Sequence, residues 1–191
     1  MVKILETQEK RNTFEKQHPV EMTGRFKKSG EMIILDSRNL SEYILAKLGS
    51  MNQLKLQKLI YYVEAYHQAY FDQPIIVDEF EAWVHGPVSR KVWNEYRELS
   101  TLYANFSFTD ESDAELVIEE IGKKLSHEQQ DLIQDVLDEY GPLSSYKLEC
   151  LTHEEIPWRE ARQGVAAGDP STNVIRKMTM RTFYKQMLYS N

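Results

Sequence analysis

The sequence predicts a mainly α, compact single-domain helical bundle with a few short β-strands, preceded by a β-hairpin-like extension over residues 1–36. Apolar residues recur at helical spacing from Asp36 almost to the C-terminus, and Gly and Pro interrupt that pattern at short intervals. The length, 191 residues, suits one domain. A chain of this size buries roughly 70% of the surface that its unfolded form exposes, so its core needs no covalent staple.

In the extension, residues 20–26 and 31–35 are rich in apolar side chains, and Lys27-Lys28-Ser29-Gly30 separates them as a turn. The domain proper is expected over 37–191. Its first helix carries Leu40, Ile44 and Leu48 on one face, is capped by Asp36 or Ser37, and stops at Gly49. The clearest helix spans 52–71. Leu56, Leu59, Ile60, Val63 and Tyr70 form one broad stripe, Asn52 serves as its N-cap, and Pro74 follows its end. Tyr61, Tyr62 and Tyr66 widen the apolar surface, which makes this helix the expected centre of the fold.

Residues 75–83 read as an extended or mixed segment and Gly86-Pro87 as a turn. A helix over 89–99 should turn Val92, Trp93, Tyr96 and Leu99 inward. Residues 106–108 and 116–118 read as short strands around an acidic turn at 110–113. Ser126-His127-Glu128-Gln129 has the form of a capping box, in which the Ser and Gln side chains satisfy each other's backbone donors. The helix that it opens aligns Leu132, Ile133, Val136, Leu137 and Tyr140, and Gly141-Pro142 closes it. A short helix from Ser144 or Ser145, another behind Pro157, and a last one over 179–188 complete the prediction.

The charge balance excludes some functions. Lys and Arg number 23 against 30 Asp and Glu, a net of −7, which argues against nucleic acid as the main partner. The single cysteine, Cys150, rules out an internal disulfide and suits a reducing compartment. The N-terminal residues do not resemble a secretory signal, and no long charge-free apolar run suggests a membrane span. The expected location is the cytoplasm.

Catalytic patterns are sparse. Phosphate-binding glycine loops, the dinucleotide fingerprint and the serine nucleophile elbow are all missing. His153-Glu154-Glu155-Ile156-Pro157 starts like a zinc-protease helix but has proline where the second histidine belongs. Ser144-Ser145-Tyr146-Lys147 satisfies S-x-x-K without the motifs that should accompany it. The histidines lack ligand spacing, although His67, His85 and His153 could converge in the fold; no metal or other cofactor is expected. Asp78, Glu79 and Glu81 around Trp83 read as a solvated edge. Arg176, Lys177, Arg181 and Lys185, and the smaller set Lys55 and Lys58, read as solvated basic faces.

Three stretches together carry a resemblance. They are Leu54-Lys55-Leu56-Gln57-Lys58-Leu59-Ile60-Tyr61-Tyr62, then Glu81-Ala82-Trp83-Val84-His85-Gly86-Pro87-Val88 with Val92 and Tyr96, then Tyr140-Gly141-Pro142-Leu143-Ser144-Ser145-Tyr146-Lys147-Leu148 with Leu151-Thr152-His153 and Pro157-Trp158. Their order and separation resemble the Panacea domain, the SocA-like antitoxin domain of prophages and toxin–antitoxin operons, over about residues 38–189. The resemblance implies a compact helical antitoxin that neutralises a cognate protein toxin by direct binding. Such toxins include alarmone-synthetase-like enzymes and other translation inhibitors. It carries over no catalytic residues.

Leu56, Lys58, Leu59, Tyr61, Trp83, Gly86, Pro87, Leu148, His153, Pro157 and Trp158 are the signature positions of that resemblance, and their residue types suit a role in maintaining the fold. Contact with a toxin is then expected from exposed aromatic and arginine anchors, namely Arg90, Trp93, Tyr96 and Arg97. Residues 20–35 could add a strand to a partner's sheet, and residues 1–36 offer a route to a homo-oligomer. Three rival readings are an adaptor that delivers a toxin to a protease, a small metal- or histidine-dependent enzyme, and a DNA-binding repressor.

Overall fold

The computed structural model describes residues 34–99, 102–107 and 111–189. The hairpin expected at 20–35 lies outside these residues apart from its last two positions. Leu35 is buried, donates its N–H to the Ile75 carbonyl at 2.7 Å and bridges Ile76, so the core reaches back at least that far.

Helix α1 (Ser37–Leu48) begins on Asp36, whose carboxylate accepts from Arg38 N–H, and ends at Gly49 with φ +74°. Strand β1 (Met51–Asn52) leads into α2 (Gln53–Phe71), whose N-cap Asn52 accepts from Lys55 N–H. Every residue of α2 from Gln53 to Ala69 is buried except Lys55. The sequence shows one broad stripe, but the helix is enclosed on all sides, the condition of a helix at the centre of a domain.

Strands β2 (Phe80–Trp83) and β3 (Gly86–Ser89) form an antiparallel hairpin with Trp83 opposite Gly86. Its two-residue loop is Val84-His85. Gly86 and Pro87 therefore open a strand rather than forming the expected turn. Helix α3 (Arg90–Tyr96) follows, capped by Ser89. Strand β4 (Asn105–Phe106) pairs antiparallel with β1.

Residues 116–118, expected as a strand, lie inside helix α4 (Glu111–Gly122). The more buried positions Ala114, Val117, Ile118 and Ile121 fall at i, i+3, i+4 and i+7, so helical packing outweighs the β-branched run at 117–118. Helix α5 (His127–Tyr140) has the expected Ser126–Gln129 capping box. Helix α6 (Ser145–Glu154) is capped by Ser144, and α7 (Ile156–Ala161) has Pro157 in its first turn. Strand β5 (Val174–Ile175) joins β2 on the edge away from β3, and α8 (Lys177–Tyr189) ends the described chain.

Helices α1, α5, α6 and α8 all pack on α2. One side of that core is aromatic. Tyr62 stacks on Tyr140 at 4.0 Å, and Tyr66 and Tyr184 meet edge to face at 5.0 Å. The Tyr62 and Tyr184 hydroxyls donate to the buried Glu155 carboxylate at 3.1 and 2.6 Å. The hairpin closes another side of α2 and carries the candidate site.

Candidate functional site: a groove behind a clamped hairpin

Side chains from the helical body hold the hairpin by its backbone. Arg162 donates to the Ala82 carbonyl at 2.9 Å, Trp158 Nε1–H to the Trp83 carbonyl at 3.0 Å, and Lys58 Nζ to the Pro87 carbonyl at 3.1 Å. The Gln57 amide donates to the Ser89 carbonyl and accepts from its N–H. These bonds satisfy backbone groups that a short hairpin would otherwise leave unpaired. His153 stacks on Trp158 at 4.0 Å, with the Arg162 guanidinium over the same indole at 5.1 Å.

The signature residues thus converge. Leu56, Leu59, Tyr61 and Leu148 are core, and Lys58, Gly86, Pro87 and Pro157 are buried. Trp83, His153 and Trp158 are half-buried around the hairpin. Gly86, at φ +99°, lies against the lysine: a Cβ there would be 2.6 Å from Lys58 Cε and 2.8 Å from Thr152 Oγ1. Burial pushes the Lys58 amine down to about 7, with Glu149 acting in the opposite direction. Burial also lowers His153, as do Lys58, His85 and Arg162, while Glu149 opposes; the buried His153 Nε2 has no hydrogen-bond partner among the described residues.

The hairpin is one wall of a groove of about 440 Å³. Trp83, Val84, His85 and Val88 line it from the hairpin, Leu54 and Gln57 from α2, and Trp93 from α3. Leu102 and residues 170–172 complete it. The two indoles meet edge to face at 5.4 Å. Arg90 forms a two-pronged ion pair with Glu81 at 2.6 and 2.5 Å and lies over the Trp83 ring at 5.4 Å. Trp83 Nε1–H donates to the same carboxylate at 2.7 Å. His85 Nδ1 is 2.9 Å from Glu149 Oε1.

Trp93 lines this groove and Arg90 stands at its edge. Tyr96 does not join them. It is 7% exposed, its hydroxyl is 2.9 Å from Ser41 Oγ, and its ring packs on Phe106. The exposed anchor expected at Tyr96 is therefore corrected: Tyr96 is one turn on from Trp93 on the same face of α3, and there Ser41 and Phe106 cover it. Arg97 is exposed and paired with Glu98, away from the groove lining.

Among the histidines, His67 is separate. Its Nδ1–H donates to the Gln73 carbonyl, its Nε2 accepts from Gln129, and burial lowers it to about 4. His85 and His153 do approach each other beside Glu149, as an enzyme would require. Yet among the described residues no hydroxyl or thiol is hydrogen-bonded to His85, and no three His, Cys, Asp or Glu side chains are disposed to hold a metal. Glu81 and Asp78 are engaged with Arg90 and the Ser37 N–H. The basic set is also paired: Lys177 with Glu64, Arg181 and Lys185 with Asp72, and Arg176 with Glu160. No described helix is long and apolar enough to cross a membrane.

Fold and site together define a helical domain that fixes a short hairpin against its central helix to shape an apolar groove. The chain belongs to the SocA-like antitoxin family: the family model described as "Antitoxin SocA-like, Panacea domain" matches residues 56–159, from α2 into α7. No match was found among curated proteins or among solved structures.

Proposed function

We propose that this chain neutralises a protein toxin by direct binding, and that the groove between the hairpin, α2 and α3 is where the toxin docks. The observation that carries the reading is the pair Trp83 and Trp93 on the walls of a 440 Å³ apolar groove, in a chain of an antitoxin family. Tryptophans around a rigid depression are the usual energetic centre of a protein interface. The clamped hairpin supplies the rigidity, so little ordering entropy opposes docking. A toxin whose active centre carries the inserted segment would be blocked by occlusion.

The test is co-expression with the product of the neighbouring gene, followed by co-purification. Rescue of growth together with a stable complex that Trp93→Ala weakens supports the reading. Rescue accompanied by protease-dependent loss of the toxin would replace it with the adaptor reading. Failure to rescue and to co-purify would remove it.

A further inference from the structure

Pro170, Ser171 and Thr172 form one wall of the groove, on a loop that has almost no core of its own. Over residues 163–173 only Val165 and Ser171 are half-buried, and the rest are exposed. The hydrogen bonds within the loop are short-range turns: Val165 N–H to the Arg162 carbonyl, Asp169 N–H to the Ala166 carbonyl, and Asn173 N–H to Ser171 Oγ. Turns shape a loop but do not place it on the domain. Its far end is tied by Asn173, which donates to the Ala161 carbonyl and accepts from Ala82 N–H.

Arg162 places the rest. Its Nη2 donates to the carbonyls of Ala166 at 2.9 Å, Ala167 at 3.4 Å and Asp169 at 2.8 Å, and its Nη1 donates to the Ala82 carbonyl at 2.9 Å. That last carbonyl is one that the sheet leaves open. Ala82 N–H bonds the Asn173 carbonyl, and a continued antiparallel ladder would return a bond from Asn173 N–H. Asn173 N–H goes to Ser171 Oγ instead, and Arg162 supplies the missing donor. One guanidinium thus joins β2, one residue before Trp83, to the loop, one residue before Pro170. A planar fork of five donors serves both walls, whereas a lysine ammonium gathers three donors at one point and reaches only one.

All these bonds are to main-chain carbonyls, so they hold the loop whatever side chains it carries. Other walls are committed to the fold. Leu54 and Val88 are buried in it, and Gln57 caps β3. Pro170 and Thr172 are exposed, and their side chains face the groove without a packing duty. A loop anchored by its backbone on a rigid scaffold is where recognition is free to vary.

We propose that residues 170–172 are the specificity-determining wall of the groove, and that Arg162 is its positioning residue, setting the loop against the hairpin without touching the toxin. This rests on the groove being the docking site. It adds which wall decides the toxin that is accepted, and what holds that wall in place.

The experiment uses the full chain and the neighbouring gene's toxin. A variant with Pro170→Gly, Ser171→Ala and Thr172→Ala together should weaken toxin binding about tenfold or more while the melting temperature stays within about 2 °C, as for other surface changes. Arg162→Lys, which keeps the charge and loses the fork, should also weaken binding about tenfold. In the free variant the Ala82, Asp169 and Asn173 amides should exchange about tenfold faster or more, while those of α2 keep their protection, which separates loss of position from loss of stability. Wild-type chain gives a reading that needs no variant: with ¹⁵N-labelled arginine, Arg162 should show separate Nη–H signals from a guanidinium that does not rotate freely, and exposed Arg159 a single averaged one. Toxin variants selected to escape the wild-type chain should be recaptured by substitutions at 170–172.

Unchanged affinity in the loop variant or in Arg162→Lys, an averaged Arg162 signal, or recapture only by changes elsewhere would each overturn the proposal. The docking reading fails separately. If Trp93→Ala weakens the toxin and neither of the other two variants does, the groove is the dock and the loop is not its deciding wall. If the toxin binds Trp93→Ala as tightly as wild type, the groove is not the dock, and the proposal falls with it.

Discussion

Lys58 Nζ donates to the Pro87 carbonyl at 3.1 Å, and the Gly86 backbone passes so close that a Cβ there would lie 2.6 Å from Lys58 Cε. The central helix and the hairpin are thus joined at a point where only glycine fits. Gly86→Ala meets two penalties. The residue is at φ +99°, where a side chain is strained, and the new carbon overlaps both Lys58 and the Thr152 hydroxyl. Strain and overpacking together should cost about 3 kcal/mol. For a domain of this size the melting temperature should fall by roughly 6–12 °C. Thermal unfolding checks this, and a shift of only a degree or two would show that the hairpin and helix are not tightly coupled.

The same lysine predicts a dependence on alkaline pH. Burial holds the Lys58 amine at about 7 in the fold, against 10.5 for an unburied lysine. Between those values the unfolded chain binds the proton and the folded one does not, so stability rises with pH from about 7 towards 10. The full span is on the order of 4–5 kcal/mol for one group. Lys58→Met keeps the length and removes the charge. Denaturant titrations across this pH range should show the wild-type slope exceeding that of Lys58→Met. Parallel slopes would mean that the amine stays protonated in the fold.

Much of this architecture is legible in the sequence, because its signals are local. Asp36, Asn52 and the Ser126–Gln129 box cap where their residue types say they should, and the apolar period of residues 52–71 identifies the central helix. The groove is not legible in that way. Trp83, Trp93, Leu102 and residues 170–172 come from separate elements, and nothing in their spacing brings them together. Helix α3 has seven residues, too few for the period to separate half-buried Trp93 from buried Tyr96. Strand β5 has two residues, and its partner is more than 90 positions earlier, so local pattern cannot reveal it. Arg162 looks like any surface arginine in the sequence, yet it is 5% exposed and bonds the carbonyls of Ala82, Ala166 and Asp169.

At acid pH the controlling group is a different one. His67 is fully enclosed, and burial brings it to about 4 from 6.5, with the Gln73 carbonyl bond opposing. Here the unfolded chain takes up a proton first, as pH falls through 6.5. The stability that the neutral ring contributes is present above that value and is lost progressively down to about pH 4, a total of about 3 kcal/mol. His67→Gln should flatten this part of the pH–stability curve. Imidazole NMR of the folded chain should show His67 neutral at pH 5.5, and a protonated signal there would refute the assignment.

Glu155 predicts a loss that is large for an isosteric change. Its carboxylate accepts from Tyr62 and Tyr184 through different oxygens, at 3.1 and 2.6 Å. Glu155→Gln keeps the shape but replaces one acceptor oxygen with an NH₂, so one tyrosine O–H in the core loses the acceptor for its hydrogen. Leaving that hydroxyl unsatisfied should cost about 1–3 kcal/mol. Tyr184→Phe in the same background removes the conflicting hydroxyl, so the double variant should recover part of the loss. A double-mutant cycle measures it, and simple additivity of the two changes would mean that the Glu155–Tyr184 bond contributes little.

The docking surface makes the final prediction, because Arg90 and Trp93 on α3 and Arg97 at its C-terminal cap should behave differently. Trp93 lines the groove, so Trp93→Ala removes a wall and should weaken toxin binding at least tenfold, about 1.4 kcal/mol or more. Arg90 is tied to Glu81 in the free protein, and its guanidinium covers Trp83. Arg90→Ala should therefore act by loosening the Trp83 wall, with a smaller effect of roughly threefold to tenfold. Arg97 is exposed, paired among the described residues with the still more exposed Glu98, and outside the groove lining, so Arg97→Ala should change affinity less than twofold. Calorimetry on the three variants orders them. If Arg97→Ala has the largest effect, the toxin contacts the outer face of α3 and the groove is a bystander.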